Sequence, residues 1–360
     1  MVNVVYILGA GFSAPLGLPV MRDFWQKGKD MLRSDPVKFG YFREIFKLMS
    51  DTSKAQTYFE YPTQDIEEAL SILEMRKFLG GEGDFETFKH FITDVITYHT
   101  PLIPQGVEPS GEWDRTIFGK NSVDERNQWF GYFVASLFSL GVQLSEYSDQ
   151  YNQTRGELAF AREQNPELNY SVVTLNYDMV LENFCEFINK YLPSGFSKIG
   201  FSKNDEATRA QAFPSLAKIH GSVKDGAIIP PTYSKGLYQP DLPSSWKLAY
   251  ALLLRANHIR IIGYSLPSTD AYIRYILKAS ISEADDLDRI DIICKDSGGK
   301  ARERYREFIK FKNVRFAPKP VEDYLGMNYN RRGLDANRKL LSFNALERAH
   351  EDFFRGQGPP

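Results

Sequence analysis

Val2-Asn3-Val4-Val5-Tyr6-Ile7-Leu8-Gly9-Ala10-Gly11-Phe12-Ser13-Ala14 begins as an unbroken apolar run and ends in Gly-x-Gly-x-x-Ala. The run reads as a strand buried on both faces, and the glycines after it mark a tight turn into a helix beginning near Ser13. Gly9 and Gly11 can take backbone angles closed to other residues. Without Cβ atoms they let main-chain N–H groups approach a pyrophosphate, with the helix dipole aimed at the same phosphates. Strand, glycine turn and helix in that order predict a nucleotide-phosphate site. In a dinucleotide dehydrogenase a second strand would follow and end in an acidic residue about 20 positions on, which holds a ribose. Leu16-Gly17-Leu18-Pro19 and Val20-Met21-Arg22-Asp23-Phe24-Trp25 follow instead, then a long helical stretch, so some other fold completes the pocket.

Further along, the chain returns to strands. Tyr170-Ser171-Val172-Val173-Thr174-Leu175, Ala217-Lys218-Ile219, Ile259-Arg260-Ile261-Ile262 and Arg289-Ile290-Asp291-Ile292-Ile293 are short apolar runs closed by polar or turn residues. That is the signature of parallel strands in an α/β sheet, and Val314-Arg315-Phe316 adds a last edge strand. Between the first strand and these, the signals are helical. Asp65 to Glu74 has apolar positions at helical spacing behind an Asp-x-x-Glu cap, and 85–97 and 127–147 continue the helical character. Residues 100–112, with three prolines and two glycines, read as a loop. Arg302 to Lys312 reads as a charged amphipathic helix, and Gly356 to Pro360 as a frayed end.

The whole chain has 360 residues, 42% hydrophobic and 25% charged, room for a large core and two compact units. A formal net charge of −2 gives no long-range attraction for nucleic acid or an anionic membrane. The two cysteines, Cys185 and Cys294, cannot make a four-thiolate zinc site and point to reduced buried thiols. No apolar run approaches the roughly 18 residues needed to span a bilayer, and no charged region precedes the first strand; a cytoplasmic protein is expected.

Asn176-Tyr177-Asp178, His220-Gly221-Ser222 and Gly263-Tyr264-Ser265 each follow one of the predicted strands. In open α/β sheets ligands bind at the carboxyl ends of strands. An Asn, an Asp and a His delivered to one edge beside a phosphate turn can orient a ribose, take its hydroxyl protons and bind a carboxamide. Alone, Asn-x-Asp after a strand is a turn or helix cap, and His-Gly a structural turn; it is their joint arrival at successive strand ends that points to a site. Gly263-Tyr264-Ser265-Leu266-Pro267 is not a serine nucleophile elbow, because Pro267 stands where the tight turn needs glycine. The acidic run Asp65, Glu67, Glu68 and Glu74 reads as a capped helix with a solvated face.

With these motifs in view, the chain resembles the sirtuin superfamily, and more closely the sirtuin-like NADase domains of prokaryotic antiphage defence. Gly9-Ala10-Gly11-Phe12-Ser13 resembles the family's Gly-Ala-Gly-x-Ser turn, and Gly17-Leu18-Pro19 with Arg22 its Gly-Ile-Pro-x-x-Arg loop. Thr174-Leu175-Asn176-Tyr177-Asp178 stands where sirtuins have Gln-Asn-Ile-Asp, and Lys218-Ile219-His220-Gly221 is similar to the catalytic His-Gly. Gly263-Tyr264-Ser265-Leu266-Pro267 with Asp270 resembles the late Gly-x-Ser motif of the NADase branch, as does Pro230-Pro231-Thr232 before it. The resemblance spans about 1–25 and 168–300 and implies an α/β fold with a Rossmann-like parallel sheet of the sirtuin type and a large all-helical insertion. The expected division is an NAD-binding domain over 1–24 and 168–320, the insertion over 25–167 and a C-terminal extension over 321–360.

The resemblance further implies catalytic roles for Asn176, His220 and Asp178, with Asp178 on the nicotinamide carboxamide, Asn176 on the ribose or a water, and His220 as general base. Gly9, Ala10, Gly11, Phe12, Ser13, Arg22, Gly263 and Ser265 would bind NAD+. The chain departs from the family after Ile293, where Cys294-Lys295-Asp296 replaces the usual Asn, and in lacking the four-cysteine zinc ribbon of protein deacylases. The expectation is therefore a zinc-free NAD+ hydrolase, with NAD+ as substrate. Regulation would come from homo-oligomerisation or a partner ATPase such as a HerA-type hexamer, acting through the insertion as a lid or subunit contact. A non-catalytic NAD+ or ADP-ribose sensor and an ADP-ribosyltransferase remain the alternatives.

Overall fold

A computed structural model describes residues 1–52, 66–80, 85–100, 125–148, 154–162, 167–204, 213–224, 227–228, 244–268, 270–284, 286–330 and 345–360. Asp65, Pro230-Pro231-Thr232, the Arg22 and Glu67 side chains and the loop expected over 100–112, apart from Thr100, lie outside them. The strands are β1 (Val2–Leu8), β2 (Leu140–Ser148), β3 (Thr154–Arg162), β4 (Leu168–Thr174), β5 (Leu216–Lys218), β6 (Gly221–Ser222), β7 (Ala227–Ile228), β8 (His258–Ile262), β9 (Arg289–Ile293) and β10 (Val314–Ala317). Six of them form the central sheet in the order β10-β9-β8-β1-β4-β5, and every neighbouring pair is parallel. All six coincide with apolar runs visible in the sequence. The fold is thus mixed α/β with a parallel sheet.

Strand alternation divides the core into two layers. Val4, Tyr6 and Leu8 of β1 pack with helices Arg126–Leu137, Val180–Tyr191, Val321–Asn330 and Ala345–Phe354, whereas Val5 and Ile7 pack with Ser244–Leu254, Ala271–Ser282 and Lys300–Phe308. The chain moves from β1 outward to β4 and β5 with Val180–Tyr191 on the first layer. It then crosses to β8 and proceeds outward the other way with its helices on the second. A right-handed connection requires this change of face when the direction of travel reverses. The reversal lies between β1 and β8, the switch point at which open α/β sheets hold ligands.

The segment between β1 and β4 is not wholly helical. Helices Phe24–Ser34, Phe42–Thr52, Ile66–Phe78, Phe85–His99 and Arg126–Leu137 are followed by the antiparallel pair β2 and β3. The helix expected to run on to Tyr147 ends at Leu137, where the Phe138 N–H bonds Ala135 and Ser136 and Ser139 adopts a left-handed φ of 47°. A non-glycine residue in that region cannot continue a right-handed helix, and the chain leaves it as a strand. The C-terminus is likewise tied down rather than frayed: the Phe316 N–H of edge strand β10 donates to Gly358 O at 2.8 Å, and Arg302 donates to Pro359 O at 3.0 Å. No helix among the described residues is long and apolar enough to cross a membrane.

The first layer contains a row of polar side chains in register. Tyr6 pairs with Arg260, Arg260 with Asp291, and Asp291 with Arg315 across β1, β8, β9 and β10. Helix Ala345–Phe354 presents Glu347, His350 and Glu351 to this row, positions three and four apart that share a helix face. The Arg260 terminal nitrogens grip both Glu347 oxygens at 2.7 and 2.6 Å, and Tyr170 donates to the same carboxylate at 2.7 Å. His350 Nε2 lies 2.8 Å from Asp291, which also receives a two-pronged bond from Arg315 at 2.7 and 2.8 Å. The C-terminal helices are thereby fastened to the sheet.

Candidate active site

The opening turn is built from backbone crossing backbone. Gly9 N–H donates to Ile262 O at 3.0 Å and Gly11 N–H to Gly263 O at 2.9 Å, so the end of β1 is bonded to the end of β8. Neither Gly9 nor Gly11 has a positive φ; among these three glycines only Gly263 does, at 68°. The requirement for glycine is contact instead: a Cβ on Gly9 or Gly11 would stand 2.7 or 2.8 Å from Gly263 O, and one on Gly263 would stand 2.2 Å from Phe12 N. These contacts make the turn a rigid floor at the switch point.

The helix expected from Ser13 is a single turn, Ala10–Ser13, followed by the 3-10 turn Ala14–Leu16. With Gly9, Gly11 and Phe12 N–H groups bonded to Ile262, Gly263 and Gly9 carbonyls, Ala10 supplies the exposed part of the turn. The Phe12 side chain is turned into the core against Phe130 and Phe133. It anchors the turn and does not line the site.

A cavity of about 550 Å³ lies over the carboxyl edge of the sheet, within the size range of small-molecule sites. Ala10, Gly11 and Ser13 line it in the middle, Asn176, Asp178 and His220 on the β4 and β5 side, and Gly263 and Ser265 on the β8 side. Residues far apart in sequence therefore share one cavity. Gly9 and Phe12 are not in its wall.

Asn176 is held at the floor. Its Nδ2 donates to Gly9 O at 3.0 Å and to Ser13 Oγ at 3.3 Å, and its N–H donates to Thr174 Oγ1 at 3.1 Å. A carbonyl oxygen only accepts, so the amide nitrogen must face Gly9, which leaves Oδ1 for a donor in the cavity. Asp178 has a local role as well: its Oδ1 accepts the Val180 N–H at 3.1 Å at the start of helix Val180–Tyr191. Lys218 donates to the Asp178 carbonyl and to Glu182 at 3.0 Å, tying the segment to β5.

His220 is placed by the end of β5. Ile219 N–H bonds Thr174 O at 3.2 Å, Trp246 Nε1 bonds Ile219 O at 2.8 Å, and Gly221 takes a left-handed φ of 83° that turns the chain away. The buried imidazole lies with its ring centre 6.0 Å from that of Tyr177. On the β8 side, Tyr264, Ser265 and Leu266 are locked: Tyr264 Oη donates to Asp270 at 2.9 Å, Tyr305 to Tyr264 O at 2.8 Å, Arg304 to Ser265 O at 2.9 Å and Arg274 to Leu266 O at 3.0 Å. The bonds hold Leu266 at a φ of 52°, a strained angle for a branched residue.

The rest of the wall includes Cys294 and Lys295, where the chain departs from the family pattern, and residues to which the sequence assigns no role. Cys294, Lys295 and Ser297 follow β9, and Pro320, Val321 and Glu322 follow β10. Burial pushes the Cys294 thiol up to about 12, with Asp296 adding to the effect and Arg304 opposing it, which disfavours the thiolate. Asp296 itself is committed to helix Lys300–Phe308, accepting from Ala301 N at 3.1 Å and Arg302 N at 2.8 Å. Ile66, Leu70, Ile92 and Ile96 add an apolar wall from helices Ile66–Phe78 and Phe85–His99. The signal for these residues was their place after a strand or on a helical stripe, which does not say what they face.

Residues 170–317 match the SIR2-like domain family. The stretch holds most of β4 and all of β5, β8, β9 and β10, hence Asn176, Asp178, His220 and Gly263, but not β1 or its turn. A crystal structure of Sir2 with the inhibitor EX-527, 2′-O-acetyl-ADP-ribose and a deacetylated p53 peptide is similar at 11% identity and a TM-score of 0.35, over 92% of this chain and 95% of that one. Among curated proteins, none matches the chain.

Proposed function

We propose that the protein is an NAD+ glycohydrolase that cleaves the nicotinamide–ribose bond to give nicotinamide and ADP-ribose. The observation that carries this reading is the arrival of Asn176, Asp178 and His220, from the ends of β4 and β5, in the cavity floored by the β1 turn. The match of 170–317 to the SIR2-like family supports it. The pyridinium is a good leaving group and the transition state resembles an oxocarbenium ion, so orientation and electrostatics suffice. Asp178 holds the carboxamide, while Asn176, its amide nitrogen fixed by Gly9 and Ser13, offers Oδ1 to the attacking water or a ribose hydroxyl. The C1′–N1 bond breaks with its electron pair passing to the nicotinamide ring, the water oxygen bonds C1′, and the water proton passes to the His220 imidazole.

An enzyme that removes NAD+ from its own cell needs a switch. The resemblance to antiphage-defence proteins suggests control by assembly or by a partner ATPase, with the insertion as the surface through which it acts; Ile66, Leu70, Ile92 and Ile96 in the cavity wall give it a direct route to the site. The test is nicotinamide release from NAD+ by the purified protein, alone and with its genomic neighbour. Asn176→Ala and His220→Ala each reduce release at least about 100-fold with the fold intact. Full activity in both variants removes the mechanism. Binding without release favours a sensor, and label from NAD+ on macromolecules favours a transferase.

A further inference from the structure

The sheet order assigns the two ends of a dinucleotide. Asn176, Asp178 and His220 stand at the β4–β5 side, the glycine floor at β1 and β8, and Cys294, Lys295, Ser297 and Glu322 at the β9–β10 side. A dinucleotide with its nicotinamide at the first and its pyrophosphate over the floor directs its adenosine toward the last. An acid expected to hold that ribose has no counterpart after the first helix. The carboxylates on this side are Asp270, Asp296 and Glu322, and two of them are committed. Asp270 receives the Tyr264 hydroxyl, and Asp296 caps helix Lys300–Phe308 with both oxygens. Glu322, in the first turn of helix Val321–Asn330, is exposed, lines the cavity and has no hydrogen-bond or ion-pair partner among the described residues. Buried Val321 and Tyr324 fix its position.

We infer that Glu322 binds the 2′- and 3′-hydroxyls of the adenosine ribose, so that the site takes NAD+ and rejects its 2′-phosphorylated counterpart. A carboxylate accepts both hydroxyls of a diol and repels a phosphate in the same place. The cations agree. Lys295 is the cationic side chain lining the cavity among the described residues. Its charge is matched by the pyrophosphate, and a 2′-phosphate adds further negative charge of about −1.5 to −2. Three neighbouring cations are directed elsewhere: Arg304 and Arg274 bond the loop carbonyls of Ser265 and Leu266, and Lys319 Nζ lies 4.9 Å over the Phe353 ring. Glu322 lies outside the stretch that matches the SIR2-like family, so the C-terminal extension supplies a specificity residue to the site.

This inference rests on the cavity being a dinucleotide site, and binding measurements separate the two. Calorimetric titration of the full chain with ADP-ribose and with ADP-ribose 2′-phosphate avoids turnover. Wild type prefers the unphosphorylated ligand by at least about tenfold, Glu322→Gln narrows the ratio about tenfold, and Glu322→Lys inverts it. Thermal melts of both variants stay at the wild-type temperature, because the side chain is exposed. Equal affinity of wild type for the two ligands, or an unchanged ratio in both variants, overturns the assignment of Glu322. Absence of binding by either ligand to wild type overturns the dinucleotide reading itself.

Discussion

The row Tyr6, Arg260, Asp291 and Arg315 crosses the middle of four strands, whereas Asn176, Asp178 and His220 stand just beyond the ends of two strands of the same sheet. Both groups are polar and buried, apart from the half-buried Arg315 at the end of the row. In the row, charge meets charge: Arg260 with Glu347, Asp291 with Arg315 and His350, Arg315 with Glu351. At the edge, each anchored side chain is held to the backbone by one atom, Asn176 Nδ2 on Gly9 O and Asp178 Oδ1 on Val180 N, and lines a cavity with the rest. A polar group closed on its neighbours fixes architecture; one held at a single end is available to a ligand.

Removing a partner from the row should have the largest effect on stability. Arg260→Met leaves the Glu347 carboxylate without its fork and costs about 3–5 kcal/mol. Because the row does not touch the cavity, nicotinamide release per folded molecule stays at the wild-type level. Urea unfolding reads the first and a turnover assay below the unfolding midpoint the second. Arg260→Met with Glu347→Leu recovers most of the loss, since a paired apolar replacement buries no lone charge. A single variant within about 1 kcal/mol of wild type would show that the row does not hold helix Ala345–Phe354.

Titration gives a smaller, graded version of the same contrast. Burial alone would raise the Glu347 carboxyl, but the charge and hydrogen bonds of Arg260 outweigh it and hold it at about 2, below the ordinary 4.5. Burial, joined by the Arg260 charge, pushes His350 down from 6.5 to about 4 against the pull of Asp291. Both groups bind more protons in the unfolded chain than in the folded one within these windows. Stability is therefore complete above about pH 6.5, falls through pH 4 as His350 resists protonation, and goes on falling toward pH 2 as Glu347 does. The loss amounts to roughly 3 kcal/mol for each group, about 7 kcal/mol in total. Urea midpoints that are flat between pH 7 and 4 would contradict it, and Arg260→Met should remove the Glu347 part of the slope.

The six sheet strands were legible because each is a short apolar run with a polar stop, a pattern that burial in a parallel sheet imposes residue by residue. The strand-end motifs were legible for a related reason: Asn176, Asp178 and His220 follow strands whose parallel pairing brings their ends to one edge. The row was not. Arg260 sits inside an otherwise apolar strand, and its partner Glu347 is 87 residues further on, so neither local pattern reports the pair. Glu322 was hidden in the same way, since its place depends on how helix Val321–Asn330 packs back on the first layer. The glycine turn's contact with Gly263 was not legible, because the two turns meet only when β1 and β8 pair in the sheet.

Asp178 is where the two kinds of group meet, and its variants separate them with the smallest change in stability. One oxygen caps helix Val180–Tyr191 through the Val180 N–H, while the residue also lines the cavity beside Asn176 and His220. Asp178→Asn keeps an acceptor of the same shape and caps nearly as well, so its unfolding free energy stays within about 0.5 kcal/mol of wild type, whereas Asp178→Ala loses about 1 kcal/mol. If Asp178 also binds the substrate carboxamide, both variants lose nicotinamide release, at least about tenfold for Asn, whose amide lacks the carboxylate charge. Stability and turnover thus move together in Ala and apart in Asn. Release by Asp178→Asn at the wild-type rate, with Ala impaired only in proportion to its unfolding, would reduce Asp178 to a helix cap and leave Asn176 and His220 to act without it.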